Sequence, residues 1–387
     1  MQTRRRGAQT RGLLWWSLGL CFSTFILPAQ QIVCRDGRCE ATISGAAPAS
    51  ARLRINAHGP VTLEGEKSRD VSYTVKLVVT ARSDAEGRRL LQNYAVRLRS
   101  LGPWLVLTAP GGAIMTAVAV KAPRLEAAAV ATSDGPVEAT GIDGPLDVET
   151  GAGAISVDRI AGDCNLVTGG GAIQAGQVGG AIHCSTGAGP ITLANAKGGA
   201  ILTTQGGDIV AQEAGGVVRA ETAGGGIRVG AAGGPVTAVT GGGEISIGRA
   251  GGPVTLRNMA GPVQVGSAAG VNCDLASGGI RLIAIAGPMR VSTVMGSILA
   301  NLTGSHLADS YLATANGDIT VLIPSNVGVT IQAENAMADS LRRITSDFAA
   351  VQPRRQGMRV VAAGPINGGG PLLQISGMGG TIFIKRQ

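Results

Sequence analysis

Residues 148–157 read Val148-Glu149-Thr150-Gly151-Ala152-Gly153-Ala154-Ile155-Ser156-Val157, and eighteen residues on the chain reads Leu166-Val167-Thr168-Gly169-Gly170-Gly171-Ala172-Ile173-Gln174-Ala175. In both, apolar residues two apart flank a Thr-Gly-x-Gly turn, and spacing by two is the face periodicity of a β-strand. The pattern extends in both directions. An apolar residue returns every nine positions from Val137 through Leu146, Ile155, Cys164, Ile173, Ile182 and Ile191 to Val263; one residue then drops out, and the beat resumes at Val271, Ile280, Met289 and Ile298.

Alternate nonads differ, so the true repeat is eighteen. Thr132, Thr150, Thr168, Thr186, Thr204, Thr222 and Thr240 mark it, each with a glycine three residues later. A fixed period of this size is the mark of a solenoid, in which no repeat buries its apolar face alone and stacking supplies the core. The expected fold is all-β: a single-chain parallel β-solenoid, β-helix or β-roll-like, with about 18 residues per coil in two nonads and β-rich N- and C-terminal caps. The nineteen nonads at roughly 4.8 Å per coil predict a rod about 45 Å long. Thr150, Thr168, Thr186, Thr204, Thr222 and Thr240 share strand parity with the inward residues, so their hydroxyls are expected to bond turn backbone between coils as a structural ladder. Prolines such as Pro145, Pro190, Pro235 and Pro253 precede the first inward residue, the strand-start slot where a missing N–H is tolerated.

Outside the repeat, residues 1–29 carry Arg4, Arg5, Arg6 and Arg11, an uncharged apolar run and Pro28-Ala29, the layout of an export signal cleaved after Ala29. The run is short for a membrane span, so no span is expected once the signal is removed. Residues 30–50 form a hairpin and linker. Residues 51–130 are a strand-rich N-terminal cap with one short helix, because Ser83-Asp84-Ala85-Glu86 has capping-box spacing. The repeats occupy 131–300, and 301–387 form C-terminal strands and a second cap. In the 336–350 segment helix and loop both remain open.

Removing residues 1–29 takes away four arginines and no acids, so the formal charge falls from +8 to +4. What remains is too diffuse to argue for nucleic acid. Cys34 and Cys39 bracket Arg35-Asp36-Gly37-Arg38, and Asp-Gly is a two-residue hairpin turn. That turn opposes the two cysteines, so a disulfide between them is expected in an oxidising compartment. Cys164, Cys184 and Cys273 fall in inward slots, as small core residues.

The order of elements carries a resemblance: a signal, a strand-rich lead with a Ser-Asp-Ala-Glu helix, Thr-Gly-x-Gly-x-Ile repeats, a closing Asn316-Gly317-Asp318-Ile319 and a final strand pair after Gly368-Gly369-Gly370-Pro371. Over residues 50–387 the chain resembles the bacterial "putative adhesin" family, a domain of unknown function. The resemblance implies a parallel β-solenoid, an exported location and no assigned catalytic residues. Where that family usually shows a turn aspartate, this chain has Ala154, Ala172, Ala181 and Pro190 and retains Asp208.

No catalytic, cofactor-binding or metal-binding residue is assigned. A periodic calcium ladder needs several oxygen ligands per ion, yet from Ala200 to Ala300 the acids are Asp208, Glu213, Glu221, Glu244 and Asp274 only. An isolated cation site near Asp134, Asp143, Asp147, Asp158 and Asp163 is the remaining metal alternative. Glycan hydrolysis needs two carboxylates at fixed separation, and His183 is expected to stack over Asn165 and then Asp147, too far from that acid for a dyad. The outward slots vary from Asp147 to Thr255, which argues against an ice-binding ladder. The expected function is therefore a non-enzymatic exported cell-envelope protein, secreted, periplasmic or at the surface, acting as a structural or adhesin-like interaction scaffold. Its partner is an envelope or extracellular protein or glycan; no nucleic acid and no cofactor is expected. The alternatives are a carbohydrate-active solenoid enzyme, lyase or hydrolase, and an envelope sensor that binds another protein.

Overall fold

A computed structural model describes residues 32–303, 307–337 and 340–387. The expected export signal and His306 lie outside the described residues. The chain is a flattened parallel β-solenoid built of two facing sheets. In the coil quoted above, Leu146–Thr150 lies in one sheet and Ile155–Ile160 in the other. The first is called here the threonine sheet and the second the opposing sheet.

The burial pattern follows from the period. Leu146, Val148 and Thr150 point inward from the threonine sheet, and Ile155, Val157 and Ile160 from the opposing one, with the residues between them turned to solvent. Coils stack with like residues in register: Ile155 pairs with Ile173, Cys164 with Ile182, and Val254 sits between Val236 and Val271. Ile155 and Ile173 are at most 1% exposed, so the two sheets enclose a continuous strip of aliphatic side chains. Eleven coils follow one another in sequence order between Ala127 and Ile323. The residue missing from the beat falls in the turn at Ala269-Gly270, which shortens that corner without disturbing the Val254–Val271 pairing.

Two features were not visible in the periodicity. The first concerns the corner that follows the threonine slot. Up to Thr240 the strand ends at the threonine. From Val254–Ala260 onward it runs on for two more residues, and the turn is made by Gly261, Gly278, Gly296 and Gly317 at φ +117, +133, +154 and +151. Only glycine takes such angles without strain, so the same glycine slot serves two corner geometries. The second concerns the ends, where coil stacking runs past the 131–300 boundary and leaves sequence order. Arg52–Ala57 and Val61–Gly65 form a coil wedged between 127–142 and the later strands Trp104–Thr108 and Ile114–Ala122. At the other end Leu372–Gly377 and Ile382–Arg386 form a coil wedged between 310–323 and the earlier strands Val329–Asn335 and Ile344–Ser346. Each end thus holds one coil clamped on both sides by segments distant in sequence.

Beyond these coils the sheets close with antiparallel strands. Asp70–Thr80 pairs with Ile114–Ala122 on one side and with Arg38–Pro48 on the other. A helix, Asp84–Gln92, covers this end; the Ser83 hydroxyl accepts the Glu86 N–H at 3.3 Å and the Glu86 carboxylate accepts the Arg82 N–H at 3.1 Å. At the far end, the 336–350 segment left open above holds a short 3-10 turn, Leu341–Arg343, and the strand Ile344–Ser346.

Among the described residues, four strands pair with a single neighbour. Val33–Arg35, Ile344–Ser346 and Arg354–Gln356 have three residues each, and Arg97–Leu101 exposes Arg97 and Arg99. Short, charged edges resist pairing with another chain. Replacing Arg97, Arg99, Arg354 and Arg355 together by threonine is expected to raise end-to-end self-association, read by light scattering across a concentration series. An unchanged mass would show that edge charge does not keep the ends apart.

Candidate functional site

The threonine ladder lies inside the molecule. Thr150, Thr168, Thr186, Thr204, Thr222 and Thr240 are 3–6% exposed, and each hydroxyl donates to a glycine carbonyl of the preceding coil at 2.8–3.1 Å: Gly135, Gly153, Gly171, Gly189, Gly207 and Gly225 in turn. Each also accepts the N–H of the glycine three residues on, at 3.2–3.3 Å. Asn258 takes over with its amide on Gly243, Leu275 and Thr293, whose buried hydroxyl finds no partner among the described residues, interrupt the series, and Thr314 resumes it on Gly296. These groups satisfy corner backbone and offer nothing to a ligand.

Cys34 and Cys39 are joined by a disulfide across the hairpin, whose Asp36 and Gly37 both take positive φ, as a type I′ turn requires. The Asp84 carboxylate accepts the Gly37 N–H at 2.9 Å, tying hairpin to helix. A side chain at Gly87 would collide with the Cys39 sulfur. This bond therefore belongs to the N-terminal cap.

The remaining candidates separate along the rod. Asp134, Asp158 and Asp163 each accept a backbone N–H, from Gly135, Gln177 and Ala181, while Asp147 accepts the Asn165 amide and Asp143 faces Arg124. Among the described residues no three His, Cys, Asp or Glu side chains converge as a metal site. His183 lies between Asn165 and Ile201 in its column, with Asp147 one coil beyond Asn165.

Burial pushes the Cys164 thiol up to about 12, helped by the neighbouring Asp163 carboxylate, and pushes Cys273 up to about 12, helped by Asp274; Cys184 is raised further by burial. The thiolate is the reacting form. At pH 8 a thiol reagent is therefore expected to spare Cys164, Cys184 and Cys273 in the native protein and to find them only after denaturation. The folded state holds these protons more tightly than the unfolded one, so their contribution is full below the ordinary thiol pKa of 9.0 and declines as pH rises above it. Rapid native labelling would place the thiols outside the core.

A concave surface with varied polar side chains lies on the threonine sheet near its C-terminal end. It is a groove of about 730 Å³ lined by Thr255, Asn272, Arg290, Asp309, Tyr311 and Gln374 among others. Five of these form one outward column, each paired with the next on the adjacent strand: Thr255, Asn272, Arg290, Tyr311 and Gln374. The shortened corner at Ala269-Gly270 supplies part of one wall, and Asp309 is fixed by accepting the Leu372 N–H at 2.8 Å. Tyr311 is 37% exposed, and Arg290 forms no ion pair with a described residue. Sequence reading missed this site. The dropped beat before Val271 and the first aromatic after Trp104 were its signals, but nothing local shows that they meet, or that Gln374 joins them from the wedged coil.

No protein-family model matches the chain, and no curated protein resembles it in sequence. Among solved structures it is similar to a "putative adhesin" from Bacteroides fragilis, with 11% identity over 72% of this chain and 95% of that one at a TM-score of 0.27. A "putative adhesin" from Parabacteroides distasonis gives 11% identity, 73% and 96% coverage and a TM-score of 0.26. A "putative cell adhesion protein" from Clostridium sporogenes gives 8% identity, 89% and 100% coverage and a TM-score of 0.18. With superpositions this loose, the functional reading rests on the chain's own surface.

Proposed function

We propose that this protein is a non-enzymatic exported scaffold of the cell envelope, adhesin-like in role, which holds a protein or glycan partner on the outward face of the threonine sheet. The observation that carries the reading is the Thr255–Gln374 column. There a rigid stack sets five different polar or aromatic side chains at one strand spacing, roughly 4.8 Å, along a groove. Side chains fixed on strands of a packed core present a preorganised surface, which lowers the ordering cost of binding. The groove's one lining carboxylate, Asp309, is engaged by a backbone amide, which favours binding over two-carboxylate glycan hydrolysis. Among the described residues no helix is long and apolar enough to cross a membrane.

Protease shaving of intact cells, with a panel of matrix proteins and glycans offered to the purified chain, tests the reading. Accessibility on whole cells together with saturable binding supports it. A strictly cytosolic chain, or product release from polysaccharides, overturns it.

A further inference from the structure

We infer that the groove takes a neutral, linear glycan running parallel to the rod axis. This rests on the reading that the groove is the partner-binding face, and it adds the chemical class of the ligand.

Three observations point the same way. The first is charge balance: Arg290 and Asp309 are the only ionised side chains lining the groove, so it carries one cation and one anion. A polyanion would meet Asp309, and a basic peptide would meet Arg290. The second is the type of polar group. Asn272 and Gln374 bring amides, Arg290 a planar guanidinium and Thr255 a hydroxyl, a mixture of donors and acceptors. Neighbouring hydroxyls on a sugar ring, each both donor and acceptor, match planar groups of this kind two at a time. The third is Tyr311. It stands fourth of the five in the column, between Arg290 and Gln374, and a partly exposed ring offers an apolar face for sugar C–H groups with a polar edge beside it.

The direction of the chain follows from the register. The column advances by one strand spacing per residue, so its five side chains span about 19 Å along the axis. An extended polymer lying along that line meets a new side chain at every rung. A ligand lying across the strands meets one rung only.

The test uses the full chain and isothermal titration with neutral linear hexasaccharides of glucose and mannose, polygalacturonate, and a basic peptide. A neutral hexasaccharide is expected to bind with an affinity that does not change between low salt and about 0.5 M. Tyr311→Ala is expected to weaken it about tenfold, and Gln374→Ala is expected to weaken it without changing the melting temperature, both side chains being exposed. Tighter, salt-sensitive binding of polygalacturonate or of the peptide overturns the neutral class. Glycan binding that survives both substitutions overturns the site while a surface-interaction role still stands. Capture of a protein through Tyr311 and Gln374 with no glycan binding overturns the ligand and keeps the groove. Failure of every partner at the groove overturns both readings.

Discussion

Replacing Val254 by aspartate is expected to break the rod in the eighth of its eleven sequential coils and to unfold the coils around it. Val254 is fully buried between Val236 and Val271. The substitution removes roughly 1.5–3 kcal/mol of apolar burial and puts a carboxylate where no donor faces it, a further cost of several kcal/mol. Together these rival the 5–15 kcal/mol that typically separates folded from unfolded chains. In a stack where each coil touches only its neighbours, damage stays between the capped ends, so limited proteolysis should cut close to residue 254 and release an N-terminal fragment. The new carboxyl is protonated more readily in the core than in the unfolded chain. The defect is therefore smallest below the ordinary aspartate pKa of about 3.9 and grows as pH rises above it. An unchanged melting temperature at neutral pH would mean that Val254 is not in the core.

Deleting residues 371–387 is expected to cost far more than a frayed end. In a solenoid stacked strictly in sequence order, the last seventeen residues are the outermost coil, and their loss trims the rod. Here Leu372–Gly377 and Ile382–Arg386 lie between other coils. They bury Leu373, Ile375, Ile382 and Ile384, each at most 2% exposed, worth roughly 6–12 kcal/mol of burial. Val329–Asn335 then keeps only its antiparallel partner Arg359–Ile366, Ile344–Ser346 loses the one strand it pairs with among the described residues, and the edges of Ser310–Asn316 and Ile319–Ile323 are laid bare for association. Circular dichroism, proteolysis and light scattering should show loss of the 307–370 region with aggregation. A monomeric, protease-resistant truncated chain would refute the wedged arrangement.

Most of the fold was legible because its cause is local. The two-residue alternation of Val148, Thr150, Ile155 and Val157 dictates which side chains enter the core, and the eighteen-residue spacing of the threonines dictates what stacks on what. The helix at Asp84–Gln92 announced itself through Ser83 and Glu86 for the same reason. What was not legible depends on partners far away. Leu53 and Ile55 alternate like any strand, and nothing in that alternation says that the chain will return fifty residues later to stack on their other side. Gly243 and Gly261 occupy one slot of the repeat, yet only the second adopts a left-handed angle, because glycine records permission for such a turn and not its use. The groove is hidden likewise: Thr255, Asn272 and Arg290 come from consecutive coils, Tyr311 follows an interruption in the beat, and Gln374 arrives from the wedged coil.

That wedged coil gives the protein a completeness test of its own. Leu372 anchors Asp309 from 63 residues further along the chain and Gln374 finishes the polar column, so the proposed binding surface is complete only once a distant segment has folded back. A chain wound only as far as Tyr311 still lacks the completed column, which ties the proposed recognition to the return of the 372–386 segment.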